Sequence, residues 1–184
     1  MPFGIGTAGR VAIALPLLLA VVVAALGIAG RLSGGAAPQS PQPDTRPLAV
    51  APVEAPDADG PECAAVLGAL PAELPSDSGG LPARALAEPA PAGVRAWAAV
   101  PRPVVLRCGL TRPAELGPTS SLLEIDGVSW LELPADVPGV PPSYVAVDRP
   151  VYVALTAATE LGSGPLQVVS EALRTLPETP VAVR

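Results

Sequence analysis

From Val11 to Gly30 the chain runs for twenty residues without a charge, bracketed by Arg10 and Arg31. No other feature limits the possible architectures as strongly. A helix rises about 1.5 Å per residue and a bilayer core is about 30 Å thick, so roughly twenty apolar residues span it. The run therefore reads as a transmembrane helix over residues 11–31, meeting the lipid bilayer through Val11–Gly30. Pro16 lies inside it, where a membrane helix tolerates proline better than a soluble one does. The competing reading is a cleaved signal peptide, whose apolar region is only about 7–15 residues long. A weak small-x-small site is present at Gly34-Gly35-Ala36. Length favours the retained anchor.

Orientation follows from the whole chain rather than from the flanks. The flanking arginines are balanced, so the positive-inside rule decides little. All seventeen acids lie at or beyond Asp44, and only ten residues precede the run. The expected topology is a cytoplasmic N-terminus (1–10) with everything after the anchor exported. Beyond Arg31, nine arginines face seventeen acids, a net charge of −8. This argues against nucleic acid, DNA or RNA, as a partner, because phosphate binding needs a basic footprint. It also argues against tight docking on anionic lipid.

Residues 32–60 hold six prolines among small and acidic residues. Such a stretch buries too little apolar surface to order itself, and reads as a disordered linker or spacer. The exported domain is expected at 61–184. Its two cysteines, Cys63 and Cys108, predict one disulfide in an exported chain. The alternative is a pair of buried free thiols.

Asp59-Gly60-Pro61-Glu62 resembles a helix start, with a capping carboxylate and then proline and an acid in the first turn. Cys63, Leu67 and Leu70 share a helical face, and Pro71 ends the helix. Residues 76–82 read as loop. Strands are expected at Arg84–Ala87, Arg95–Ala99 and Val104–Cys108. Leu122–Ile125 and Val128–Leu133 flank Asp126-Gly127, a strong two-residue hairpin signal. Tyr144–Val147 and Val151–Leu155 flank Asp148-Arg149-Pro150. Leu166, Val169, Leu173 and Leu176 define a last helix, capped by Ser163 and stopped by Pro177. The expected class is α+β: an N-terminal transmembrane helix, then a small, mostly antiparallel sheet with two packing helices.

Four segments, in order, carry a resemblance: ECAAVLGALP, PVVLRCGL, LLEIDGVSWL and DRPVYVAL. Over roughly residues 61–176 the chain resembles a family of small membrane-anchored or secreted actinobacterial proteins with a paired-cysteine domain of unknown function. Cys63, Trp97, Arg107, Cys108, Gly109, Gly127, Val128, Trp130 and Arg149 match its pattern. Ala98-Ala99-Val100-Pro101 departs from the Gly-Asp-Pro common after the tryptophan, Asp126 replaces Asn, and Ser129 replaces Asp. The resemblance implies an N-terminal membrane segment and an exported domain, and no activity.

The chain has no histidine and no lysine: every basic side chain is arginine. Ser-His-Asp, Cys-His and Ser-Lys catalysis, Schiff bases and the Walker lysine are thereby excluded. No metal or cofactor site is expected, since zinc wants four ligands and no histidine exists to supply one. Gly162-Ser163-Gly164-Pro165 is too short to cradle phosphate and reads as a loop. Glu124 and Glu132 flank the hairpin and are the candidates for paired-carboxylate glycoside hydrolysis, which needs carboxyls about 5–9.5 Å apart. Arg107 is a candidate anion ligand, weighed against packing its stem over the sheet or pairing with an acid. Trp97 and Trp130 are candidates for glycan stacking or, more simply, for core bulk. The expected function is a non-catalytic cell-envelope module that binds an envelope protein or glycan. A carboxylate-dependent cell-wall hydrolase is the alternative.

Overall fold

The computed structural model describes residues 42–135 and 137–182, together with Val21 and Val23. The rest of the apolar run lies outside the described residues. Among those described, no helix is long and apolar enough to cross a membrane.

Helix α1 spans Pro61–Ala69 and helix α2 spans Gly164–Leu173. Between them lie β1 (Glu73–Leu74), β2 (Leu81–Pro82), β3 (Val94–Trp97), β4 (Val104–Leu110), β5 (Leu122–Ile125), β6 (Val128–Leu133), β7 (Ser143–Ala146) and β8 (Tyr152–Thr156). A 3-10 turn at Thr159–Leu161 leads into α2. Strands β3 to β8 form one six-stranded sheet in the order β3-β4-β8-β7-β6-β5, antiparallel at every pairing. Strands β1 and β2 form a separate antiparallel pair. The fold is therefore α+β, with its helices on one face of an antiparallel sheet.

Period-two alternation explains the core. One face of the sheet presents Val104, Leu106 and Cys108, then Val153 and Leu155, then Tyr144 and Ala146, then Val128 and Trp130. Against it pack Cys63 and Val66 from α1 and Leu166, Val169 and Leu173 from α2. Trp97 and Trp130 are 1% and 0% exposed, so both rings are core, and neither is free to stack on a glycan. The Trp130 indole donates to Ser170 Oγ at 3.0 Å, which satisfies its one polar atom.

The Asp-Gly hairpin forms as its residues dictate. Asp126 and Gly127 have φ of 50° and 74°, and Ile125 pairs with Val128 across the turn. Other local expectations need correction. The cap of α1 is Gly60, with no side-chain cap bond; Asp59 stands one residue too early. Val66, not Leu67, is the fully buried partner of Cys63 on that helix. Ser163 precedes α2 but makes no capping bond, because its ψ of −10° is helical rather than extended. Helix α2 ends at Leu173, before Pro177 can stop it. Within the expected loop at 76–82, Leu81 and Pro82 form β2, paired with β1 at Glu73 and Leu74. Arg84–Ala87 is not a strand: Leu86 makes only an isolated bridge to Leu48.

That bridge ties part of the expected linker, 32–60, to residues of the folded unit. The Leu48 amide donates to Ala85 O at 2.8 Å, and the Ala87 amide donates back to Leu48 O at 2.9 Å. Asp44 lies 3.0 Å from the Arg84 guanidinium, which also donates to Arg46 O. Asp44, Arg46 and Leu48 of the proline-rich stretch are held by these polar contacts, which its low apolar content did not foretell.

Candidate functional site

Strand β4 sets up the site through one irregularity. Its pairing with β8 runs Arg107 to Ala154 and Cys108 to Val153, then skips Gly109, so that Leu110 meets Tyr152. The skipped residue is a β-bulge. Gly109 has a φ of 83°, and a Cβ there would stand 2.3 Å from Ala58 N. The Asp57 amide donates to Gly109 O at 3.2 Å, so the chain entering α1 lies directly on the bulge. Without the bulge Leu110 would share the face of Cys108. With it, Arg107 and Leu110 both point to the second face, while Cys108 points to the core.

Cys108 there meets α1. Cys63 and Cys108 form a disulfide, with Cα atoms 5.7 Å apart and 45 residues between them in sequence. The free-thiol alternative is thus settled: there are no free cysteines.

The second face is only partly covered. Leu116, Leu131, Val145, Val147 and Ala154 form a smaller apolar cluster there, with Val181 of the C-terminal segment packed against it. Where that cover stops, a cleft of about 360 Å³ opens. Its floor is read directly from the register: Arg107, Ala154 and Val145 form one cross-strand row, and Thr156 and Ser143 lie in the next. Leu133 and Leu110 flank the floor. Val53 and Glu54 form one wall, and Thr111, Pro113 and Glu115 the other. The second wall is braced from within. Arg112 donates to Leu116 O and to Ala182 O, the latter at 2.9 Å, and Ser120 Oγ donates to Glu115 O at 3.0 Å.

Arg107 is the distinctive group in this cleft. It is half-buried, and its Nε is sealed from solvent without a hydrogen-bond partner. Among the described residues it makes no ion pair; those present are Asp44 with Arg46 and Arg84, and Asp148 with Arg149. Burial pushes the guanidinium below its ordinary pKa. Arginine nonetheless stays protonated in proteins, so the cleft holds a cation in no direct ion pair. Beside it, Ser143 Oγ and Thr156 Oγ1 lie 2.7 Å apart and share a hydrogen bond.

The other buried arginine has a different task. Arg149 lies 3.0 Å from Asp148 Oδ1 and donates to Leu173 O at 3.3 Å, Asp148 O at 2.9 Å and Gly127 O at 2.8 Å. Asp148 Oδ2 accepts from the Ser129 amide at 2.8 Å. This knot ties the end of α2 to two hairpins. Asp148 Oδ1 accepts no hydrogen bond and is held by the Arg149 ion pair alone, and both residues are buried.

The two carboxylates considered for hydrolysis are not brought together. Glu124 pairs with Ser129 and shares the second face with Leu122, whereas Glu132 pairs with Tyr144 on the helix-covered face. The sheet separates them. Tyr144 Oη lies 3.5 Å from Glu132 Oε1, and burial followed by that carboxylate raises the phenol above its usual pKa. Among the described residues no group of three or more Cys, Asp or Glu side chains is placed to hold a metal ion.

Alternation within Val104-Val105-Leu106-Arg107-Cys108 was enough to put Arg107 opposite the cysteine. The walls were not visible, since Glu54 and Glu115 come from segments far apart in sequence.

The family profile of a protein of unknown function, DUF3515, matches residues 11–181. The chain belongs to that family. No curated protein and no solved structure matches it. The match to DUF3515 starts at Val11, so the apolar run falls within it, along with the disulfide, the bulge and the cleft.

Proposed function

We propose that the chain is a single-pass membrane protein whose exported domain is a non-catalytic binding module of the cell envelope, with the Arg107 cleft as its ligand site. The observation that carries the binding reading is a half-buried arginine in an open cleft, with its Nε unpartnered and no carboxylate in ion-pair contact with it among the described residues. A desolvated charge is costly unless paired, and an anionic group entering the cleft would relieve that cost. The disulfide supports an oxidising compartment, where such bonds persist. The length of the apolar run supports an anchor. The placement of Glu124 and Glu132 on opposite faces removes the support for the hydrolase reading.

Two experiments test this reading. Alkaline phosphatase fused after Arg184 should be active, because that reporter matures only outside the cytoplasm; an inactive fusion that is stably made contradicts the topology. A photo-crosslinking residue at Thr111, on the cleft wall, should capture a ligand in intact cells. That capture should fall in Arg107→Gln. Absence of any crosslink, or a crosslink indifferent to Arg107→Gln, contradicts the site.

A further inference from the structure

We infer that the Arg107 cleft binds a small zwitterion with an apolar body, an apolar α-amino acid or a short peptide carrying the same three groups. This rests on the binding-module reading above and specifies its ligand. Three features of the cleft converge on it.

The first is charge. Arg107 supplies a planar fork that suits a carboxylate, and no protein carboxylate occupies it. Glu54 and Glu115 line the same cleft, so two acids accompany one base. A doubly charged phosphate would gain one cation and meet two anions. A zwitterion places its carboxylate on Arg107 and its ammonium toward the acids, satisfying both signs.

The second is the floor. Ala154 and Val145 lie in the same cross-strand row as Arg107, with Leu133 beside them. An apolar side chain next to the ligand's charged end would cover this row. The Ser143–Thr156 pair adds direction, because one hydroxyl donates to the other and leaves a proton free to point into the cleft.

The third is size. A volume of about 360 Å³ lies near the lower end of ligand sites, which span about 300–1,000 Å³. It suits one or two residues rather than a polymer.

Calorimetric titration of the full chain, Met1–Arg184, in detergent micelles tests the inference, with leucine and alanyl-leucine as probes. Leucinamide lacks the carboxylate, 4-methylpentanoate lacks the ammonium, and inorganic phosphate is a plain anion. Leucine or alanyl-leucine should bind, and the better of the two identifies a free amino acid or a peptide as the source. The amide and the fatty acid should each bind about tenfold more weakly, as expected when one charged contact is lost. Arg107→Gln should weaken the better probe by a similar factor, with tryptophan emission unchanged to show that the fold is kept. Glu115→Gln, at an exposed position, should narrow the preference for leucine over 4-methylpentanoate. Failure of both probes to bind, or binding indifferent to Arg107→Gln or to Glu115→Gln, overturns the inference. Arg107-dependent binding of phosphate alone also overturns it, while leaving the cleft as a binding site.

Discussion

Arg149 is 6% exposed and Asp148 4%, so their ion pair is out of water on both sides. Removing one partner of such a pair strands the other charge. Arg149→Met is therefore expected to cost about 3–5 kcal/mol, read as a lower urea midpoint from the emission of buried Trp97 and Trp130. Adding Asp148→Asn should recover part of that loss, because no lone carboxylate then remains. Gly109 makes a second residue-scale case. An added methyl would meet Ala58 N at 2.3 Å and the Asp57 carbonyl carbon at 2.4 Å, both backbone atoms that no side-chain rotation can clear. Its φ of 83° adds strain for any L side chain. Gly109→Ala should lower stability by about 2 kcal/mol or more in the same assay. The two positions differ in how far sequence could take them. Asp148 and Arg149 read as a hairpin connector, which they are, but their burial depends on Leu173 and Gly127 arriving from elsewhere.

Among the elements, the hairpin of β5 and β6 was the most legible, since Asp-Gly at a two-residue turn is a purely local preference. Strands β1 and β2 were the least legible. Each is two residues long, and one includes Pro82; buried Leu74 and Leu81 pack them into the main core. The pairing of β6 with β7 carries a pH dependence. Tyr144 sits opposite Glu132, and burial first, then that carboxylate, raises its pKa above the ordinary 10.0. A phenol whose folded pKa exceeds its unfolded one contributes stability that is full below pH 10.0 and fades as pH climbs through the folded value. Stability measured from pH 8 to 12 should thus fall on the alkaline side, and Tyr144→Phe should flatten that fall.

For the whole molecule, one covalent link joins α1 to β4, the strand next to the β3 edge of the sheet. Loss of a native disulfide in a small domain costs about 2–5 kcal/mol. Replacing both Cys63 and Cys108 with alanine should lower the unfolding midpoint by a matching amount. The intact mass of the native chain should rise by two hydrogens on reduction. The α+β class, both helices and the antiparallel sheet were determined by sequence alone, because hydrophobic period and turn chemistry are local signals; a count of two cysteines left only one possible pairing, which the structure shows is made. The exclusion of histidine- and lysine-dependent catalysis was equally complete. Tertiary structure alone decided the rest. The bulge at Gly109 turns Leu110 to the same face as Arg107, and distant Glu54 and Glu115 come to line the same cleft as that arginine. The sheet also parts Glu124 from Glu132. A sequence lists which charges exist; which of them lie side by side is set by strand register, and here one extra residue in β4 set it.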